Sequence, residues 1–206
     1  FNRSAERIEG LVGAHKTLLA NASHELRSPL ARIRMATELL KREAKPALRA
    51  ELERDIAELD ALVDEILVAS RLDAVTDLEM FEEVDLLALA AEECARMDAA
   101  LDGVSVAVRG DPRLLRRLLR NLLENARRYG ADTPIEVTLS GGAGPAVLRV
   151  CDRGPGVPAT ERERIFEPFY RPAGTREPEG GVGLGLALVR QIARKHGGDA
   201  RCLARE

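Results

Sequence analysis

The sequence predicts two domains, an all-α helical hairpin followed by a mixed α/β domain. Residues 1–73 show helical periodicity, no strand-like run and a single break at Ala44-Lys45-Pro46. From residue 75 the pattern changes to short apolar runs that alternate between helix-like and strand-like spacing. A chain of 206 residues, 45% hydrophobic, is long enough for two small cores.

Aromatic residues make up only 3%, so packing rests on Leu, Ala, Val and Ile. Lys and Arg (31) nearly balance Asp and Glu (34), and no basic block is interleaved with aromatics, which argues against a nucleic-acid partner. Cys94, Cys151 and Cys202 are odd in number and far apart. They read as buried or incidental thiols of a reducing compartment, with neither a zinc site nor a disulfide framework indicated. No apolar run approaches the roughly 20 residues of a membrane helix, and no signal peptide is present, so this stretch is expected to be soluble. It opens on Phe1-Asn2-Arg3-Ser4 without a Met and already in a helical pattern, as a piece of a longer protein would.

In the first helix Leu19, Ala22, Leu26, Leu30, Ile33 and Leu40 form one apolar stripe. At about 100° per residue, His24 lies roughly 200° from both Ala22 and Leu26 and points away from that stripe. Glu25 adjoins it, and Ser28, one turn on, shares its face. Pro29 frees the carbonyl of Glu25 and favours a bend, so the turn around the exposed imidazole is deformable. Pro46 suits the first turn of the second helix. There Leu52, Ile56, Leu59, Val63, Ile66 and Ser70 form a heptad seam. A single antiparallel pair leaves half of each stripe wet, and pairing with a second copy into a four-helix bundle covers it.

In the second domain residues 84–94 begin an apolar helical segment, and residues 104–108 alternate as a short strand. Asp111 is the expected N-cap and Pro112 the first residue of a helix carrying Leu115, Leu118, Leu119, Leu122 and Leu123. Residues 135–139 and 146–150 read as strands around the turn Gly141-Gly142-Ala143-Gly144, and a last helix runs over residues 185–195.

Four clusters in this domain carry chemistry. Asn121 and Asn125, four residues apart, share a helix face, and an amide oxygen such as that of Asn125 is a neutral, hard ligand suited to Mg²⁺. Arg128 offers charge for phosphate, and Tyr129 a ring for a base. Asp152-Arg153-Gly154-Pro155-Gly156 follows a strand, where a carboxylate can accept from an exocyclic amine and glycines let a ring approach the backbone. Adenine satisfies that chemistry. Ile165-Phe166-Glu167-Pro168-Phe169-Tyr170-Arg171 is an aromatic cluster before a polar run, fit to anchor a mobile lid or a small local core. Gly181, Gly183, Leu184 and Gly185 lead into the last helix and present backbone N–H groups to phosphate. A GxGxxG reading fails at Leu186, and the Lys-Ser/Thr pair of a P-loop is absent.

These motifs in this order resemble the two-component sensor histidine kinases. His24 to Pro29 looks like their H box, residues 121–129 their N box, residues 152–156 their G1 box, residues 166–169 their F box and residues 181–186 their G2 box. The resemblance implies a HAMP-like linker end over residues 1–10, a dimerisation and histidine-phosphotransfer hairpin over 11–74, and a Bergerat-type ATP-binding α/β two-layer sandwich over 75–206 whose C-terminal edge is truncated. It implies ATP and Mg²⁺ as cofactors, a homodimer through the hairpin, a response-regulator receiver domain as partner, and a membrane anchor upstream of a cytoplasmic portion at a bacterial inner membrane. His24 would accept the γ-phosphoryl group, with Glu25 hydrogen-bonding the far ring nitrogen, fixing its tautomer and assisting proton removal, and Arg171 would contact the group in transfer. Residues 71–76 would act as a hinge, and Ser28 would orient water in the reverse reaction. Ser28 stands where Thr is commoner, Arg128 replaces a frequent Lys, and the chain ends soon after His196-Gly197-Gly198. Two rivals differ in their readouts. An ATPase clamp would keep turnover after His24→Gln, and a scaffold using nucleotide as a structural ligand would bind ATP without forming a phosphoryl adduct.

Overall fold

The computed structural model separates the chain into two units, Phe1–Ala74 and Val75–Glu206. The structure describes residues 32, 33, 35, 50, 52, 55–57, 59, 63, 66, 82–130, 133–142, 144–172 and 183–204. His24, Glu25, Ser28, the break at residues 44–46, the hinge at 71–76 and Gly181 lie outside them.

All described residues of the first unit are helical. Arg32 Nε donates to Asp55 Oδ1 at 2.9 Å, joining the stretches on either side of the break. The heptad seam is divided by burial: Leu52, Leu59 and Ile66 are half-buried, whereas Ile56 and Val63 are 44% and 43% exposed. Met35 is more exposed still. One chain therefore covers only alternate members of its own seam.

In the second unit the order is β1 (Glu82–Asp85), α1 (Leu86–Met97), β2 (Ala100–Gly103), β3 (Ala107–Gly110), α2 (Pro112–Tyr129), β4 (Glu136–Ser140), β5 (Val147–Cys151), a 3-10 turn at Arg164–Phe166, and α3 (Gly185–Lys195). Strand β1 pairs antiparallel with β3. A second sheet has the order β2-β4-β5, with β2 parallel and β5 antiparallel to β4. Helix α2 packs between α1 and α3. Leu89, Ala90 and Cys94 of α1, Leu115, Leu119, Leu123 and Ala126 of α2, and Val137 of β4 form the core. Burial pushes the Cys94 thiol pKa up.

Two aspartates start the first two helices. Asp85 Oδ1 accepts from the N–H groups of Leu87 (2.9 Å) and Ala88 (3.2 Å). The Ala88 bond is the main cause holding this carboxyl below its ordinary range. Asp111 Oδ1 accepts from Arg113 (2.8 Å) and Leu114 (3.4 Å), with Pro112 in the first turn as the sequence predicts. Replacing Asp111 by Ala orphans those donors. The expected loss is about 1 kcal/mol, read as a lower urea midpoint with an unchanged slope.

The α3 boundaries agree with the sequence, and β4 and β5 sit one residue later than expected. Of the strand expected over residues 104–108, only Ala107 and Val108 lie in β3, and residues 104–106 cross between sheets. The Val104 N–H donates to Leu139 O (3.1 Å) beside β4, whereas Val106 O accepts from the Leu86 N–H (3.0 Å) beside β1. Alternating valines thus serve two ladders, and residues 104–106 belong to neither strand. Gly103 makes the close approach: a Cβ there would lie 2.3 Å from Leu139 O.

Candidate functional site

The C-terminal half of α2 faces two glycine-bearing turns. Asn121 is buried and its Nδ2 donates to Gly185 O at 3.2 Å, tying the middle of α2 to the first residue of α3. Asn125, one turn along the same face, is half-buried, as is Tyr129, while Arg128 is exposed. The sequence brings out both amides but not that Asn121 spends its own on a backbone carbonyl.

The turn after β5 is built against the end of α2. Asp152 Oδ1 accepts from the Gly154 N–H at 2.8 Å, which fixes the carboxylate over its own turn. A Cβ on Gly154 would lie 2.2 Å from Tyr129 O. One on Gly130 would lie 2.4 Å from Ala126 O and 3.2 Å from Asp152 Cβ. Glycine at both places lets the turn and the helix end touch. Gly156 differs: its φ is +73°, and nothing lies within 4 Å of where its Cβ would be. That open side suits a flat ring lying close to the backbone.

Residues 164–172 form the second support. Ile165 and Phe166 are buried, with the Arg190 guanidinium 4.5 Å from the Phe166 ring centroid. Arg190 is held in turn by Glu163 (2.7 Å) and Asp199 (3.2 Å). Tyr170 donates its hydroxyl proton to Glu161 Oε2, the first cause of a raised phenol pKa, and Arg164 lies 4.2 Å from its ring centroid. Phe169, at φ 63°, donates its N–H to Gly183 O at 3.0 Å. Gly183 has φ +77°, and a Cβ there would meet the Phe169 backbone at 3.0 Å. The aromatic motif and the glycine motif are thus clasped backbone to backbone, with Arg171 half-buried just beyond Tyr170. Leu184 is buried and supplies no side-chain cap to the first N–H groups of α3.

Direct contacts therefore join Asn121 to Gly185, Tyr129 and Asp152 to Gly154, and Phe169 to Gly183. Among the described residues no group of three or more His, Cys, Asp or Glu could hold a metal ion. The donor set at Asn125 suits a metal that takes most of its shell from phosphate and water. Sequence reasoning passed over Gly130, Glu161, Arg190 and His196 as supports. Only the His196-Gly197-Gly198 cluster gives a signal in the sequence.

Three helices and a mixed sheet, with glycine turns gathered where the second half of α2 meets the start of α3, make up an α/β domain whose candidate site has the chemistry to take a nucleotide. The comparisons with known proteins agree. Residues 110–206 match the family of Histidine kinase-, DNA gyrase B-, and HSP90-like ATPases, and residues 14–75 the His Kinase A (phospho-acceptor) domain. The chain is 37% identical over 214 residues to the sensor protein RstB of Escherichia coli (strain K12), covering 98% of this chain and 48% of RstB. It is 35% identical over 211 residues to the sensor histidine kinase CpxA of the same organism, covering 96% and 46%. It spans about half the length of these curated relatives. The solved structure of the histidine kinase ThkA, in complex with the response regulator protein TrrA, shares the fold with a TM-score of 0.72 at 22% identity, over 100% of this chain and 62% of that chain. The chain belongs to the sensor histidine kinases.

Proposed function

We propose that this chain is the cytoplasmic catalytic core of a membrane-anchored sensor histidine kinase that phosphorylates His24 from ATP and passes the phosphoryl group to an aspartate of a response regulator. The observation that carries the ATP site is the joint packing of the Asp152–Gly154 turn on the end of α2 and of Gly185 on Asn121. It supports Asp152 as the acceptor for the adenine amine, with Gly154, Gly156, Tyr129 and Phe166 shaping the base pocket. Gly183, Leu184, Gly185 and Arg128 would serve the phosphates, as would Gly181 of the same motif, with Asn121 setting the distance between α2 and α3. Asn125 would hold Mg²⁺, which supplies charge neutralisation on the phosphates. The His24 imidazole attacks the γ-phosphorus in line. An N–P bond forms as the bond to the ADP oxygen breaks, Glu25 takes the ring proton, and Arg171 contacts the group in transfer. Ser28 orients water when the regulator is dephosphorylated.

The uncovered residues Ile56, Val63 and Met35 support a homodimer in which a second hairpin completes the four-helix bundle. ThkA, solved with a response regulator protein, supports that class of partner. No helix among the described residues is long and apolar enough to cross a membrane. The anchor would belong to the remaining half of a protein the length of its relatives.

Incubation with γ-labelled ATP tests the proposal. The wild-type chain is expected to acquire acid-labile, base-stable label. His24→Gln is expected to acquire none while binding a fluorescent ATP analogue normally. Label surviving His24→Gln, or a wild-type chain that takes up none, would overturn the assignment.

A further inference from the structure

We propose that His196 is a positioning residue for the nucleotide site, setting the register of α3 against α2 from the end opposite the glycine turns. The inference rests on the kinase reading. The ring bridges the two helices: the Asp111 N–H donates to His196 Nε2 at 3.1 Å, and His196 Nδ1 lies 2.8 Å from Ile192 O. A backbone N–H can only donate and a carbonyl can only accept. Nε2 is therefore the bare nitrogen and Nδ1 carries the proton, a single neutral tautomer. The ring is closely confined, for a Cβ on Gly110 would lie 2.5 Å from His196 Cδ2 and 2.8 Å from Nε2. Glycine before Asp111 makes the space that the ring fills.

A second tie lies at the other end of α3, where Asn121 Nδ2, from the middle of α2, donates to Gly185 O. The ties are ten residues apart on α2, from 111 to 121, and eleven apart on α3, from 185 to 196. At 1.5 Å per residue these are matching lengths of roughly 15 and 16 Å, so the helices run antiparallel and α3 is pinned at both of its ends, against the start and the middle of α2. Asn125 projects from one pinned helix, and the Gly183–Gly185 turn opens the other. Releasing the His196 end lets α3 pivot about Asn121 and shifts the glycine turn relative to Asn125. No part of His196 needs to touch nucleotide for this effect.

The test uses the full chain and the initial rate of autophosphorylation against ATP concentration. His196→Leu breaks both ring contacts and is expected to raise the KM for ATP about tenfold, with kcat changed far less. His196→Gln places an amide oxygen near the Nε2 position, can still accept from the Asp111 N–H, and is expected to restore most of the KM. His196→Asn reaches only the Nδ1 position and should behave as Leu. Gly110→Ala, which keeps the histidine but crowds its ring, should also raise KM. A residue that merely stabilised the fold would reduce the active fraction, and so apparent kcat, without moving KM. The proposal is overturned if His196→Leu and Gly110→Ala keep the wild-type KM, or if Gln is no better than Asn. A wild-type chain that takes up no label would overturn the kinase reading and this proposal with it, whereas an unchanged KM in variants of a labelling-competent chain overturns this proposal alone.

Discussion

Gly154→Ala is expected to weaken binding of an ATP analogue by more than about tenfold and to cost about 2 kcal/mol of stability, the scale of overpacking at a tight contact. The new methyl carbon would sit 2.2 Å from Tyr129 O and 3.0 Å from Asp152 Oδ1. The first of these is backbone at the end of a helix and cannot rotate away. Either the turn lifts, carrying off the Asp152 carboxylate and stretching its bond from the Gly154 N–H, or the last turn of α2 unwinds and takes Tyr129 with it. Both routes displace a group assigned to the base. Gly144→Ala is the matched control, since nothing lies within 4 Å of its Cβ position and its φ is not in the left-handed region. It should bind and unfold as wild type. Titration with a fluorescent ATP analogue and urea denaturation measure both effects, and wild-type affinity in Gly154→Ala would show that this turn does not shape the pocket.

What the sequence revealed follows the range of the forces concerned. The start of α2 was legible because Asp111 and Pro112 act on donors two and three residues away, and α3 because its stripe of Leu188, Val189 and Ile192 repeats within a few turns. Strands β1 and β2 were not. Glu82-Glu83-Val84-Asp85 and Ala100-Leu101-Asp102-Gly103 carry little strand propensity and exist because β3 and β4 offer them ladders. Alternation at Val104 and Val106 was real, but it could not say that the two residues bond to different sheets. At the site the residue types were legible, because an amide pair on a helix face and glycines flanking a carboxylate have local signatures. Their division of labour was not. Asn121 and Asn125 differ only in that Gly185 O stands opposite the first, a contact spanning 64 residues. Glu93 is the extreme case. Beside Glu92 on an Ala-rich helix nothing in the local sequence sets it apart, yet it is only 1% exposed.

That buried carboxylate gives the other large expected effect. On the flank of α2 away from α3, Glu93 Oε1 accepts from Arg116 Nη1 (2.8 Å) and Arg120 Nη2 (3.2 Å), and Oε2 from Arg120 Nε (3.1 Å). Arg96 lies 3.7 Å away, and Arg116 also reaches Glu92 at 2.6 Å. Glu93→Gln keeps the volume but turns an amide NH2 toward a guanidinium and leaves a donor facing a donor. Removing one member of a buried pair costs about 3–5 kcal/mol when its partners stay dry. Arg116 and Arg120 are 34% and 44% exposed and can turn to water, so the expected loss is nearer about 2 kcal/mol. Glu93→Met, which leaves no buried polar group, is expected to cost less than Gln. The pH dependence separates a charge effect from a packing effect. Burial pushes the Glu93 carboxyl pKa up, but the bonds from Arg120 and Arg116 outweigh it and hold the group below its ordinary range. A pKa lower in the folded than in the unfolded chain means that the unfolded chain binds more protons in acid. Its stabilisation is complete above the unfolded value and fades as pH falls toward the folded one. The stability gap between wild type and Glu93→Gln, measured by urea denaturation, should therefore be widest near neutrality and begin to close only as pH falls below the ordinary glutamate value of about 4.3. Asp85 and Asp199, also lowered, titrate in both proteins and cancel in the difference. A gap that stays constant with pH would mean that Glu93 supports α2 by its shape and not by its charge.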